Sequence, residues 1–553
     1  MKKLLCVLLA LSLSAVVFAN GEGESSAAGM KEYSVFLGYE KDDYPQAGTI
    51  FGNWLEEQTG VKLKWEFIVG DLEQKIGLLA ASGDYPDAIH PRNNGEVLLG
   101  ANALIPLNDL VDQYGENIKW MYGDRIEMIK KPDGNLYWFP QQMPFRDGYA
   151  NPNPGHGLYI QAAVLESWGW ELPKDLDDAV NKLIAYAKAN PEINGNPTIA
   201  FTGQYDSWRW FGTSNIPHIL AGHPNDGSCN VDKVGTKWVA THYWGTKAEY
   251  DSYKILNKVN QAGLYDTESF VMSYDQYIAK LTGGNILAFY DQDWNFNSAQ
   301  SVLLSQDQGR WYIATPTMLP GYEPTILNPP TPQVSEGIGI SVDCKDPEGL
   351  MKYFNFLVDK DTLLRRMWGR EGIDYLVGDD GVFYRTEEMI ETWKDPDWRN
   401  QEYGADYWGN FLRLDASSII WDGKNVADPG RQASIYKLNL RDCENDALDA
   451  LGIDTFSELF PPPDLSRSVY FPAWTITIPP DSDEGITNAR LDDIRRKYIP
   501  LLIMAESGKY DAVWNEYLEQ MHTVDQADID ALDAFRQAEI DRRVLVSTGK
   551  PNK

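Results

Sequence analysis

The chain is poor in cysteine and histidine. Its four cysteines are Cys6, Cys229, Cys344 and Cys443 among 553 residues, and Cys6 lies inside an N-terminal apolar run. Three remain, so at most one internal disulfide can form, which excludes a disulfide-stapled scaffold. The six histidines, His90, His156, His218, His223, His242 and His522, form no HExxH, and the chain has no CxxC, GxSxG, phosphate loop or GxGxxG. These absences argue against standard metalloproteases, α/β-hydrolases and nucleotide enzymes. Positive charge is also scarce: 49 Lys and Arg stand against 81 Asp and Glu, a net charge of −32. Nucleic acid and anionic membrane surfaces both require clustered cations, so neither is an expected partner. After Phe18 no apolar run is long enough to span a membrane.

What is abundant is aromatic. The sequence holds 19 Trp and 30 Tyr, side chains with an apolar face and a polar handle. Its length exceeds one ordinary core, so two or more lobes are expected. The N-terminus reads as an export signal: Met1-Lys2-Lys3, an apolar stretch to Phe18, and small residues ending at Ala19. Cleavage after Ala19 would leave a small, polar, flexible leader, "NGEGESSAAGM" (20–30).

The first elements are clear. "YSVFLGY" (33–39) is a buried strand, "AGTIFGNWLEEQTG" (47–60) an amphipathic helix stopped by Gly60, and "VKLKWEFIV" (61–69) an alternating strand. A second helix carrying Leu72, Ile76 and Leu79 runs into "LLAASGDYPDAI" (78–89). There Gly83 accepts the left-handed cap, and Pro86 keeps the helix from resuming and extends the chain into a third strand. Strand–helix alternation predicts crossover units and a largely parallel sheet. Ligands of such sheets sit beyond the carboxyl ends of the strands. That places Tyr39, Glu40 and Asp42 on one rim with the loop from His90 through Arg92, Asn93 and Asn94.

Further along, "PDGNLYWFPQQM" (132–143) reads as a Gly-turn hairpin, and "GLYIQAAVLESWGW" (157–170) opens another crossover unit. Asp175–Ala189 is a helix with one apolar face, "NILAFYDQDW" (285–294) a strand, "GIGISVDC" (337–344) a strand, and the following segment a helix capped by Asp346. The Pro-punctuated stretch 310–324 suits a crossing between lobes. The last 200 residues are hard to parse, apart from a helix striped with Val513, Trp514, Tyr517, Leu518 and Met521. One loop, "NPEINGNPT" (190–198), sets Asn190, Glu192, Asn194 and Asn196 at alternate positions as calcium loops do. Thr198 and Ile199 stand where its closing acids belong, so a polar turn is favoured and bound calcium is not expected.

The order of "EEQTGVKLKWEF" (56–67), "ASGDYPDAI" (81–89), "LIPLNDLVDQYG" (104–115), "DGNLYWFP" (133–140), "LYIQAAVLESWGW" (158–170), "KVNQAGLYD" (258–266), "GREGIDY" (369–375) and "YDAVWNEYLEQM" (510–521) resembles the extracellular solute-binding proteins of ABC importers. The branch it resembles includes LplA-like lipoproteins and alginate-oligosaccharide binders. The resemblance implies an α/β, two-lobed periplasmic-binding-protein fold with an interlobe ligand cleft and discontinuous lobes. We expect residues 31–150 plus about 312–365 in the first lobe and 151–311 plus 366–553 in the second. It further implies a non-enzymatic, monomeric receptor that delivers an oligosaccharide to a permease. Asn20 stands where related lipoproteins carry an acylated cysteine, so a soluble periplasmic protein is expected. Many relatives carry Arg where this chain has Gln161, which weakens the case for an anionic sugar recognised through that position.

Sugars are bound by aromatic rings under their apolar faces and by planar polar groups on their hydroxyls. Those ingredients coincide at Tyr39 with Glu40; at Arg92, Asn93 and Asn94; in "QYDSWRW" (204–210), with Tyr205, Asp206, Trp208 and Trp210; and in "DQDWN" (291–295), with Asp291 and Trp294. Trp368, Arg370 and Trp474 join them from the last third. Arg92, Arg146, Arg209 and Arg370 are available for a basic cleft. Two alternatives stay open: a secreted glycoside hydrolase or lyase using carboxylates among Glu40, Asp206, Asp291 and Asp293, and a receptor for peptides or another solute.

Overall fold

The computed structural model describes residues 30–40, 48–145, 148–306, 308–330, 334, 336–405 and 411–553. The expected signal peptide, the leader up to residue 29, Asp42 and Arg146 lie outside the described residues.

Two hydrophobic cores organise the chain. The first is built on β1 (Lys31–Leu37), β2 (Val61–Phe67) and β3 (Ala88–His90), with β1 central and both neighbours parallel to it. The connecting helices are α1 (Ile50–Thr59) and α2 (Leu72–Ser82). Thr49 caps α1 by accepting from the Gly52 amide, and Asp71 caps α2 from the Gln74 amide at 2.7 Å. Both helices end on a left-handed glycine, Gly60 (φ 65°) and Gly83 (φ 66°), as expected. Asp87 then ties the start of β3 to β1, its carboxylate accepting from the Ser34 amide and hydroxyl at 2.8 and 2.7 Å.

The sheet is completed by strand Gly337–Ile340, antiparallel to β3, and by β4 (Phe139–Pro140) beyond it. The expected hairpin at 132–143 is therefore a turn through Gly134 leading into a strand whose partner lies some 200 residues on. The second core surrounds strand His156–Gln161, flanked by Ala288–Gln292 and Tyr312–Thr315, both antiparallel. The crossover expected after residue 157 gives an antiparallel sheet instead. Helices Leu176–Ala189, Lys247–Gln261, Asp483–Ile503 and Tyr510–Met521 cover it. Trp514, Tyr517 and Met521 are buried as their stripe predicts, with Val513 and Leu518 packed beside them. A smaller third cluster joins Trp238, Tyr470, Phe471, Ile540 and Val544.

The lobe boundaries differ from expectation. Tyr312–Thr315 belongs to the second sheet and Met318, Leu319, Ile326 and Leu327 to its core, so the return to the first core comes between residues 327 and 337. Trp368, Tyr375, Phe383, Tyr403, Phe411 and Ile435 all pack in the first core, and Tyr436 is the first to return to the second. Among the described residues three passages thus join the lobes, at 145–156, 327–337 and 435–436. The stretch 366–435 forms only short helices and two-residue strands, without the periodic run that would have revealed its allegiance.

Contact between the lobes also comes from the C-terminal helix Gln526–Thr548. Its Arg542 Nη2 donates to the Met128 carbonyl at 3.5 Å, and Ser547 Oγ reaches Met128 Sδ at 3.4 Å. Beside this contact is a cavity of about 850 Å³ lined from both sides, by Leu99, Leu104, Tyr137, Val334, Ile476 and Phe535 among others. Cys229, Cys344 and Cys443 form no disulfide with one another.

Candidate functional site

On the first lobe, β1 ends at Leu37 and turns through Gly38, Tyr39 and Glu40, while β3 ends at His90 and gives way to the 3-10 turn Arg92–Asn94. The two turns touch. The Gly38 amide donates to the His90 carbonyl at 2.9 Å, and a side chain at Gly38 would press on His90 O and Arg92 Cγ at 3.1 and 3.2 Å. Strand Gly337–Ile340 runs against β3, so its start lies beside the end of β3 and delivers Glu336 to this rim. Gln141 arrives from the end of β4.

These side chains form one network. Tyr39 Oη lies 2.6 Å from Gln141 Oε1 and 3.3 Å from Glu336 Oε2. The Arg92 guanidinium sits 4.8 Å over the Tyr39 ring, with Nε 3.8 Å from Glu336 Oε2. Burial and the Glu336 charge raise the Tyr39 hydroxyl above its usual range, so it stays a donor. His90 packs edge-on against Tyr39, and its Nδ1 accepts from the Arg92 amide at 3.3 Å. Burial lowers the His90 pKa to about 3, leaving a neutral ring. Arg92 itself has φ 53°, a left-handed conformation that non-glycine residues hold only when their surroundings enforce it.

On the second lobe, strand Ala288–Gln292 passes directly into helix Asp293–Gln306, so Trp294 stands exposed on its first turn. The short helix Ser207–Trp210 brings Trp208 beside it. The two indoles are nearly parallel (16°) with centroids 5.9 Å apart, and Phe211 lies 6.0 Å from each. Trp208 is 48% and Trp294 52% exposed, unusual for rings in mutual contact.

Arg209 lies against the faces of Tyr274 (3.9 Å) and Trp208 (4.5 Å), with Nε donating to Asn295 Oδ1 at 3.2 Å. Asn295 in turn donates to Gln204 Oε1 and to both oxygens of Asp291, and Tyr277 Oη donates to Asp291 Oδ2 at 2.7 Å. Burial pushes the Asp291 carboxyl up to about 6. Burial also lowers the Arg209 pKa, and the charge of Arg92 on the other lobe acts in the same direction. Arg92 and Arg209, one on each rim, thus lie within electrostatic reach of each other. Asp293 feels the charge of Arg431, whose guanidinium bonds Asn151 and Ser417 at the passages.

The structure thus places Tyr39 and Arg92 on the first rim, Trp208 and Trp294 on the second, and Asp291 buried beneath the second. Glu40 is exposed on the Tyr39 turn, Asn93 and Asn94 share the Arg92 turn, and Asp206 accepts from the Tyr274 amide at 3.0 Å. Other expected contacts serve packing. Tyr205 and Trp210 face inward against helix Asp483–Ile503, with Trp210 4.2 Å from the Arg496 guanidinium. Trp368 is fully buried in the first core, Nε1 donating to Val426 O. Arg370 is engaged by Asp374 at 2.7 and 3.2 Å. Trp474 is the exception: its backbone lies against Gly227 beside the third cluster, but its side chain is 42% exposed.

Gln161 is buried between the Gly284 and Ile286 carbonyls and Arg310, inside the second lobe. The residues the sequence reading missed are Gln141, Glu336, Gln204, Phe211, Tyr274 and Asn295. Gln204 and Asn295 lie within the two motifs already singled out and Phe211 adjoins one of them, and none was taken.

The loop 190–198 is a two-residue hairpin. Asn194 and Gly195 both have positive φ (52° and 76°), as a type I′ turn requires. The Asn194 and Asn196 amides donate to the Gly283 and Asn194 carbonyls, so the side-chain oxygens do not converge. Among the described residues no group of three or more His, Cys, Asp or Glu is placed to hold a metal ion.

Residues 53–370 match the profile of the family described as bacterial extracellular solute-binding protein. Among curated proteins, the fructooligosaccharide ABC transporter substrate-binding protein FusA of Streptococcus pneumoniae is 29% identical over 248 residues, 41% of this chain and 43% of that protein. The match thus spans less than half of that relative's length. Among solved structures, a solute-binding protein of Bifidobacterium longum infantis described as HMO-binding and ABC-transporter-associated superposes with a TM-score of 0.64 at 17% identity, over 93% of this chain and 99% of that one. FusA in complex with kestose gives 0.61 at 17%, over 92% and 99%. The alginate-binding protein AlgQ2 without calcium gives 0.60 at 17%, over 93% and 98%. These likenesses establish a shared two-lobed fold.

Proposed function

Because the chain belongs to the bacterial extracellular solute-binding proteins, and its two rims pair exposed aromatic rings with planar polar groups, we propose that it holds an oligosaccharide between its lobes and hands it to an ABC transporter permease. The observation that carries this reading is the exposed, near-parallel pair Trp208–Trp294, with Arg209 stacked on Trp208 and within electrostatic reach of Arg92 on the other lobe. A pyranose or furanose ring presents an apolar face to such indoles, and its edge hydroxyls suit bidentate guanidinium and carboxylate partners. The names of FusA, AlgQ2 and the Bifidobacterium protein point to the same ligand class.

Ligand touching both rims favours the closed arrangement over the open one, so binding shifts a hinge equilibrium. The carboxylates act as fixed acceptors: Asp291 is held by Tyr277 and Asn295, and Glu336 by Tyr39, Gln141 and Arg92. In this reading the protein transforms nothing. It is exported by cleavage after Ala19, is not acylated, works as a monomer in the periplasm, and requires no calcium.

The test is thermal unfolding of the chain from Asn20 onward against neutral and acidic oligosaccharides, followed by mass analysis of the recovered ligand. A ligand at a hundred times its dissociation constant adds about 2.7 kcal/mol. A melting shift with the sugar recovered intact supports the receptor. Recovery of shorter fragments would establish the glycosidase or lyase instead. No shift with any sugar would redirect the search to peptides and other solutes.

A further inference from the structure

The loop that carries Trp208 and Arg209 is braced from a distant part of the chain. Ser207 at its start has φ 48°, a left-handed conformation disfavoured for any residue with a side chain. No side chain caps the helix Ser207–Trp210. Besides Asp206, whose side chain accepts from the Tyr274 amide, its restraint comes from helix Asp483–Ile503, nearly 300 residues later. Arg496 Nη2 donates to the Ser207 carbonyl at 2.7 Å, and Nη1 reaches the Tyr205 carbonyl at 3.5 Å. The same guanidinium lies 4.2 Å over the Trp210 ring. Tyr205 Oη returns the contact by donating to the Arg496 carbonyl at 3.1 Å. One planar cation thus holds two carbonyls and one ring of a strained turn.

We infer that Arg496 is a positioning residue for ligand: it touches no sugar but fixes the turn that sets Trp208 parallel to Trp294 and Arg209 against Asn295. The inference rests on the reading of the Trp208–Trp294 pair as the ligand platform. Arg fits this task better than Lys, because a flat fork can satisfy two acceptors and lie on an indole together, whereas an ammonium is a point donor. The neighbouring Arg495 does different work. Buried with Glu249, it donates to Ser214 O and Tyr243 Oη and holds the helix to its own lobe.

The experiment combines R496A, R496K, W208A and the double variant R496A/W208A. Two readouts are used: calorimetric affinity for a sugar bound by the parent, and the exciton couplet of the coupled indoles in circular dichroism, which W208A calibrates by removing one partner. R496A is expected to lose the couplet and to weaken binding by up to the roughly tenfold loss expected of W208A. R496K should recover part of both. In the W208A background, R496A should add little, since residues acting through one another are not additive.

R496A that keeps the couplet and parental affinity would overturn the inference. So would a full additional loss on top of W208A, which would mean that Arg496 meets ligand directly. If R496A does not fold, R496K carries the same comparison. If the parent binds no sugar, the function reading fails, and the couplet still decides whether Arg496 sets the indole pair.

Discussion

Replacing Trp208 or Trp294 by alanine is the most direct assault on the proposed cleft, and the structure fixes the size of the effect. Each indole is about half exposed, 48% and 52%. A tryptophan side chain buries roughly 150–250 Å² when fully covered, so each ring still offers on the order of 100 Å² to a ligand. At about 25 cal/mol per Å² that area is worth ~2.5 kcal/mol. A sugar seated on one face covers about half of it, which leaves ~1.3 kcal/mol, or about tenfold in Kd.

The fold should tolerate either change. The rings touch each other and Phe211 at about 6 Å but lie outside the core, so the cost in stability is about 1 kcal/mol. The double variant should lose less than the product of the single losses, because each indole keeps the other parallel. Titration calorimetry with a sugar found by the melting panel measures the affinities, and unfolding curves check the fold. Single variants that bind within twofold of the parent, with the fold intact, would refute the placement of ligand on these rings.

Two further predictions concern buried charge. Asp226 is fully buried, and burial raises its carboxyl from an ordinary 3.8 to about 8. The native state therefore keeps a proton that the unfolded chain has lost, so stability falls as pH rises from about 4 to about 8 and levels off above. Asp226→Asn has no proton to lose. Its melting temperature relative to the parent should climb steadily across that window, and a constant difference would contradict the assignment. Glu249 and Arg495 form a buried pair 3.7 Å apart, at 0% and 3% exposure. Removing one partner, as in Arg495→Met, should cost about 3–5 kcal/mol by stranding the other. A loss below 1 kcal/mol in chemical denaturation would show that the Gly245 amide and Tyr517 hydroxyl, which also donate to Glu249, satisfy the carboxylate alone.

Local signals in the sequence carried much of this architecture. The stop at Gly83 and restart after Pro86 depend on backbone preferences of single residues, and the structure bears out both the left-handed cap and the strand that follows. Trp208 and Trp294 stood out because aromatic and acidic residues crowd short loops next to an apolar strand. Glu336 and Gln141 did not, because their place on the rim comes from the register of Ile89 against Gly339 and of Pro140 against Gly337. No local pattern encodes a pairing across that distance. Trp368 shows the converse difficulty. A tryptophan beside a charged residue reads the same whether it lines a cleft or closes a core, and here Val426 and Phe383 make it core.

The weaving of the chain between lobes bears on when this protein can fold at all. Lys31 meets Asp346 across 315 residues, and the Trp238 amide meets Asn552 across 314. Glu249 waits for Arg495. Neither lobe can close its core from a contiguous stretch, so the entropy of joining very long loops precedes the contacts that reward it, and folding is correspondingly slow. A polypeptide wired in this way stays loose and threadable while it is being made. For a family that works outside the cell, the same topology that divides each lobe among distant segments keeps the chain fit to be passed through a membrane before it acquires a shape.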